Sequence, residues 1–155
     1  MQRDRTVRSL YTISFVVCAA FVALLAGGCA RPPDAATRIR STIEAMREAA
    51  EARDAGGVLD HVASDFTGRG GEIDREGLAR ILKIEFLRNQ DIGVRLGSVD
   101  IEIDGDRATA RFDMTLIDGS RRWLPSGRET YAVVSGWRRE GSAWTCYNAT
   151  WDAKE

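Results

Sequence analysis

One histidine, three cysteines and three prolines among 155 residues leave few of the side chains that hydrolytic and metal-dependent chemistry draws on. No Ser-His-Asp arrangement, metal-ligand cluster or nucleotide-binding fingerprint is present, so no metal and no cofactor is expected. An excess of positive charge is missing too. The whole chain carries −1 and its first 28 residues, with three Arg and one Asp, carry +2, so the remainder carries −3. That balance argues against nucleic acid as a partner. Repeats and a second domain are also absent, and the part beyond residue 28 is about 125 residues, the size of one ordinary domain with a real core.

The chain does have one long apolar run. Arg3, Arg5 and Arg8 form a basic leader, and residues 10–25 are uncharged and apolar, the layout of a secretory signal. The run closes on Ala26-Gly27-Gly28 followed by Cys29, which resembles a bacterial lipobox, although Ala26 stands where Leu is commonest. Cleavage before Cys29 would make it the acylated first residue. A transmembrane helix over residues 9–30 is the competing reading, since that run is long enough to span a bilayer. It is disfavoured because the run ends in Ala-Gly-Gly-Cys instead of a basic stop-transfer cluster, and Pro32-Pro33 suits an extended tether. The expected organisation is a signal over 1–28, a lipidated tether over 29–36 and a domain over 37–152. The domain would face the periplasm from the cell envelope, and Ala30 after the cysteine suits outer-membrane sorting by analogy with enterobacterial lipoproteins.

Three helices are expected first. Ile39, Ile43, Met46 and Ala50 recur at helical spacing after Asp34, a candidate N-cap, with Gly56-Gly57 as the stop. Val58, Leu59, Val62 and Phe66 fit a short second helix. After a glycine-rich connector, Thr67-Gly68-Arg69-Gly70-Gly71, which lacks the strand and the Gly-Lys-Ser/Thr of a phosphate loop, Asp74 opens a third. Its apolar residues are Leu78, Ile81, Leu82, Phe86 and Leu87.

Beyond Asn89 the period becomes alternating. A two-residue turn at Gly105-Asp106 sets Ile103 opposite Ala108, Ile101 opposite Ala110 and Val99 opposite Phe112 on the buried side, and Asp100 opposite Arg111 and Asp104 opposite Arg107 on the other. Hydrophobic and charge pairing select the same register. A turn is expected at Asp118-Gly119-Ser120, then a loop or bulged edge over 123–127 with Pro125. A turn centred on Glu140-Gly141 would pair Trp137 with Trp144. Helices followed by an antiparallel meander make an α+β domain, its helices packed on one face of a curved sheet.

This arrangement resembles the nuclear transport factor 2-like superfamily of cone-shaped domains, which includes ketosteroid isomerase, scytalone dehydratase and polyketide cyclases. The resemblance covers nearly all of residues 37–152. It is carried by the long first helix, the short helix ending in Ala63-Ser64-Asp65-Phe66, the third helix after Asp74 and the hairpin closing with Glu140-Gly141-Ser142-Ala143-Trp144. It implies a cystatin-like arrangement with a pocket between the first helices and the concave face of the sheet, used by some members for catalysis and by others for ligand binding or dimerisation.

No acid-base set of the enzymatic members can be placed in that pocket. His61 falls on the flank of its expected helix, with Asp65 one turn on. The two would be an acid-base couple in an enzyme and a surface pair otherwise, and the surface pair is preferred because a working base must reach a pocket proton. Asp100, Glu102, Asp104 and Asp113 are explained by solvation or by pairing with Arg107 and Arg111. Cys18 would leave with the signal and Cys29 would be consumed by lipid, so Cys146 cannot form an internal disulfide and reads as a small buried hydrophobe. Tyr131, Val133, Ser135 and Trp137 are expected to share a face with Trp144, Cys146, Asn148 and Thr150, making Tyr131, Trp144 and Asn148 the candidate ligand-binding residues, although an ordinary core or dimer interface has the same composition. The leading expectation is a non-catalytic, lipid-anchored envelope domain that binds a small apolar ligand or a protein partner. One alternative is an isomerase, dehydratase or hydrolase of small cyclic compounds, working through His61 and Asp65 or through Tyr131 and Asn148. The other is a homodimeric scaffold with a flat apolar sheet face.

Overall fold

The computed structural model describes residues 34–118 and 128–154. The signal and lipobox with Cys18 and Cys29, the Gly119-Ser120 turn and the loop at 123–127 lie outside the described residues. Helix α1 spans Ala35–Glu51, and Asp34 caps it by accepting the Thr37 N–H at 2.7 Å. Ile39 and Ile43 make its buried stripe. The helix stops earlier than the glycine pair suggests, at Arg53, which takes up a left-handed φ of 58°. Gly56 and Gly57 instead lie inside a five-residue helix α2, Ala55–Leu59, capped by Asp54. A Cβ on Gly57 would sit 2.8 Å from Asp54 Oδ2, so the glycine makes room for the cap.

The expected second helix does not continue through Val62 and Phe66. Those residues belong to strand β1, Val62–Gly68, whose buried positions are Val62, Ala63, Phe66 and Gly68. The Cys146 N–H donates to the His61 carbonyl at 2.9 Å and draws this segment into the sheet. Pairing with a distant strand thus overrides a local pattern that suits a helix equally well. A 3-10 turn at Arg69–Gly71 and strand β2, Ile73–Asp74, lead into α3, Arg75–Arg88, capped by Asp74 on the Gly77 N–H at 2.7 Å.

Strands β3 (Ile92–Leu96), β4 (Asp100–Asp104), β5 (Arg107–Asp118), β6 (Arg128–Glu140) and β7 (Ala143–Ala153) complete one seven-stranded sheet. Its order is β2-β1-β7-β6-β5-β3, with β4 pairing β5 as well. Every pairing is antiparallel except that of β1 with β7, which is parallel. The fold is therefore α+β, with helices against a large, mostly antiparallel curved sheet.

The β4–β5 hairpin has the expected register, with Ile103 opposite Ala108, Ile101 opposite Ala110, Asp100 opposite Arg111 and Asp104 opposite Arg107. Ala108 and Ala110 are buried and Ile101 packs on the core, but Ile103 at the end of the hairpin is 42% exposed. The β6–β7 hairpin differs. Its turn is Gly141-Ser142, with Gly141 at φ 63°, so Trp137 stands opposite Cys146 and Trp144 opposite Arg139. The two tryptophans still share a face and a core, with Ile39, Ile43, Val62, Phe66, Ala108, Ala110 and Cys146.

A larger departure lies further along the same hairpin. The register shifts between Gly136 and Trp137, since Gly136 pairs Asn148 while Trp137 pairs Cys146, leaving Tyr147 as a β-bulge. One inserted residue reverses which side chains face inward. Past the bulge, Ala149 and Trp151 share the face of Ser135 and Val133, and the expected inward pair Asn148 and Thr150 is exposed on the opposite face. Gly136 permits this, because a Cβ there would lie 2.4 Å from Asn148 Oδ1.

Candidate functional site

Of the proposed acid-base pair, His61 is half-buried in the turn just before β1 and Asp65 is exposed within the strand. They do not form a couple. Asp65 accepts two hydrogen bonds from Arg138, at 2.7 and 2.8 Å, and the same guanidinium donates through Nε to Glu140 at 2.6 Å. That bidentate partner holds the Asp65 carboxyl below the usual aspartate range, which keeps it an anion. Tyr147 stands on the same side of the sheet, with the guanidinium carbons of Arg107 and Arg138 at 5.3 and 5.9 Å from its ring centre.

The end of the inner face beside the β6–β7 turn, which we term the narrow end, is filled. Trp137 and Trp144 are 1% and 4% exposed, and Ser135 is the one buried polar residue among those described. Its hydroxyl accepts the Trp137 indole N–H at 2.9 Å and lies 3.4 Å from the Ala110 carbonyl, so it serves the core. Cys146 donates through Sγ to the Asn148 carbonyl at 3.3 Å, and burial pushes its thiol up to about 12, far from a nucleophile's range. Trp144 is therefore part of the closed core, and Asn148 stands on the outer face of the sheet.

The opposite end of the inner face, which we term the wide end, differs. On the inner face Phe112, Val133 and Trp151 stand in one cross-strand row, and Met114 and Tyr131 in the next. Trp151 packs with Phe66 around Gly68, where a Cβ would lie 3.2 Å from either ring. The inward positions of α3, Leu78, Leu82 and Phe86, are only half-buried, as are Phe112, Met114, Tyr131 and Trp151. At the rim the Tyr131 hydroxyl donates to Glu129 Oε2 at 2.5 Å. That hydrogen bond, and then burial, raise the phenol above its usual range, and Glu85 of α3 adds its negative charge. Trp151 and Phe86 belong to this region although the sequence did not single them out as ligand residues; the bulge that turns Trp151 inward has no local signature.

Among the described residues no three His, Cys, Asp or Glu side chains stand together as metal ligands. Nor is any of their helices long and apolar enough to cross a membrane. The open face of the sheet is charged, with ion pairs between Arg111 and Glu102 at 3.0 Å and between Lys154 and Asp113 at 2.7 Å. It is not the flat apolar surface that the scaffold alternative requires.

Solved structures place this architecture. An NTF2-like protein with a cystatin-like fold from Novosphingobium aromaticivorans is 18% identical with a TM-score of 0.66, and the match covers 89% of this chain and 88% of that one. The fold is nuclear transport factor 2-like. A putative dehydratase from the NTF2-like family of Streptomyces avermitilis is 13% identical at a TM-score of 0.67, over 77% of this chain and 95% of its own. Bd1075 of Bdellovibrio bacteriovorus is 13% identical at a TM-score of 0.65, over 75% of this chain, which spans only 40% of that protein. No family model and no curated protein matches the sequence. The expected resemblance thus holds at the level of the fold, and nuclear transport factor 2-like members include both dehydratase-like enzymes and proteins of unknown function.

Proposed function

We propose that this nuclear transport factor 2-like chain is a lipid-anchored envelope protein, held by Cys29 and facing the periplasm from the outer membrane, that binds a small apolar ligand at the wide end of its cone without transforming it. One observation carries the binding reading: the apolar residues of the narrow end are sealed, whereas Phe86, Met114, Tyr131 and Trp151 at the wide end are apolar or aromatic and only half-buried. Half-buried aromatics around one polar point are the composition of a small-molecule site. Acid-base chemistry would have to run on Tyr131 and Glu129, because Asp65 is engaged by Arg138 and Asn148 faces away.

Native mass spectrometry of the detergent-extracted protein should find a retained apolar molecule in the wild type and a several-fold loss in Trp151→Ala. An empty wild type, or equal retention in both, would sink the binding reading. Intact mass beside Cys29→Ala tests the anchor. The wild type should begin at Cys29 with added acyl mass, and the variant should remain uncleaved.

A further inference from the structure

Helix α3 has two faces of different character. At about 100° per residue Leu78, Leu82 and Phe86 point one way with Arg75, which donates to the Leu59 and Val62 carbonyls. The opposite face is not the polar surface expected of a solvated helix. Ile81, Ile84 and Leu87 lie there within an arc of roughly 120°, and they are 38%, 46% and 84% exposed. Arg80 and Arg88 are interleaved with them and Lys83 flanks them, against Glu76 and Glu85, the latter 3.7 Å from Arg88. The N-terminal half of this face opens into a shallow groove of about 470 Å³ lined by Ile73, Gly77, Arg80, Ile81 and Ile84, with Glu72 and Asp74 at its edge. Exposed aliphatics among basic side chains, on a helix of net charge +2 in a portion of the chain that carries −3, form the pattern of a helix lying in a membrane interface.

Tether length favours the same occupant. Four residues separate Cys29 from Asp34, five Cα–Cα steps that reach at most about 18 Å fully extended. An acyl group on Cys29 would therefore keep the domain within about one domain diameter of the bilayer. At that range even a weak interfacial contact is heavily populated, because anchoring makes it intramolecular.

We infer that the Ile81-Ile84-Leu87 face of α3 rests on the bilayer to which the chain is anchored, its aliphatic side chains at the acyl boundary and Arg80, Lys83 and Arg88 on anionic headgroups. The inference rests on the proposed anchoring, and it sets the domain on its helical side with the β4–β5 hairpin at the far edge of the sheet.

The test uses the full chain in a Cys18→Ala background, processed and reconstituted into vesicles containing phosphatidylglycerol and nitroxide-labelled lipid. A fluorophore is placed at Leu87→Cys or, as the control at the far sheet edge, at Glu102→Cys; buried Cys146 stays unlabelled. Quenching at position 87 should exceed that at position 102 at least fivefold. The variant Arg80→Gln, Lys83→Gln, Arg88→Gln should weaken the membrane contact by roughly fivefold in its equilibrium constant per charge removed, the weight of one basic residue near an anionic surface, and so bring quenching at position 87 down toward that at 102. All of these positions are exposed, so circular dichroism should be unchanged. Equal quenching at 87 and 102 would overturn the inference. So would a label at 87 that is shielded from water but unquenched by lipid, which would assign the stripe to a protein partner. Intact mass of the same sample reads acylation separately, so failure of the anchor and failure of the face are distinguishable.

Discussion

Cys146 shows how completely a reactive group can be silenced by its surroundings. Its thiol is packed in the core with Trp137 and Trp144, and burial raises it from an ordinary 9.0 to about 12. The folded protein should therefore resist a disulfide-exchange reagent at pH 8, reacting only as fast as the domain opens. Immediate stoichiometric labelling of Cys146 would contradict the packing. The same shift has a sign for stability. Between about 9 and about 12 the folded state keeps a proton that the unfolded state has lost, so this contribution is full below pH 9 and declines as pH rises through that window. The inert role of Cys146 was legible from its strand-like neighbours Thr145 and Tyr147. The partner of Asp65 was not: Arg138 is 73 residues away, whereas His61 is four, and local spacing favours the nearer group.

Elements are joined by a few specific struts, and the clearest is Glu51 at the end of α1. Its carboxylate accepts the Val94 N–H of β3 at 2.9 Å and also holds Arg47. The backbone hydrogen bond lowers the Glu51 pKa below an ordinary 4.5. Its contribution is thus present above that pH and lost as pH falls below it. Glu51→Gln keeps an acceptor for the Val94 N–H but loses the charge that strengthens that bond and pairs with Arg47, and should cost about 1 kcal/mol at neutral pH. In urea titrations at pH 7 and pH 3 the gap between variant and wild type should shrink at the lower pH; an unchanged gap would show that the strut does not titrate. Legibility at this scale follows a simple division. The β4–β5 hairpin could be read because two patterns, apolar alternation and opposite charges, agree on one register within 12 residues. Strand β1 could not, since Val58, Leu59, Val62 and Phe66 fit a helix and only pairing with β7 makes a strand of the last two. The bulge at Tyr147 likewise depends on Gly136 in the neighbouring strand, and missing it turned Asn148 and Thr150 to the wrong face.

Across the whole molecule the two ends of the cone divide the work of folding and of binding. At the narrow end Trp137 is almost fully enclosed, and its indole N–H is satisfied by Ser135. Removing it leaves a cavity and takes from the Ser135 hydroxyl the one donor it accepts, leaving only its 3.4 Å contact to the Ala110 carbonyl. Trp137→Ala should cost about 3–5 kcal/mol, a large share of the roughly 5–15 kcal/mol available to a domain of this kind. At the wide end Phe86 and Trp151 already share their surface with water, so the same truncation forfeits less burial. Phe86→Ala should cost only about 1 kcal/mol, because the transfer term scales with the area actually removed from water. Ligand retention should order the variants in reverse: reduced several-fold in Phe86→Ala and Trp151→Ala while their thermal unfolding stays cooperative, and in Trp137→Ala reduced only in proportion to the unfolded fraction. Calorimetry and native mass spectrometry on the three variants decide the matter together. If Phe86→Ala destabilised the domain as much as Trp137→Ala, the wide end would be a second core, and its half-buried aromatics would serve the fold instead of a ligand.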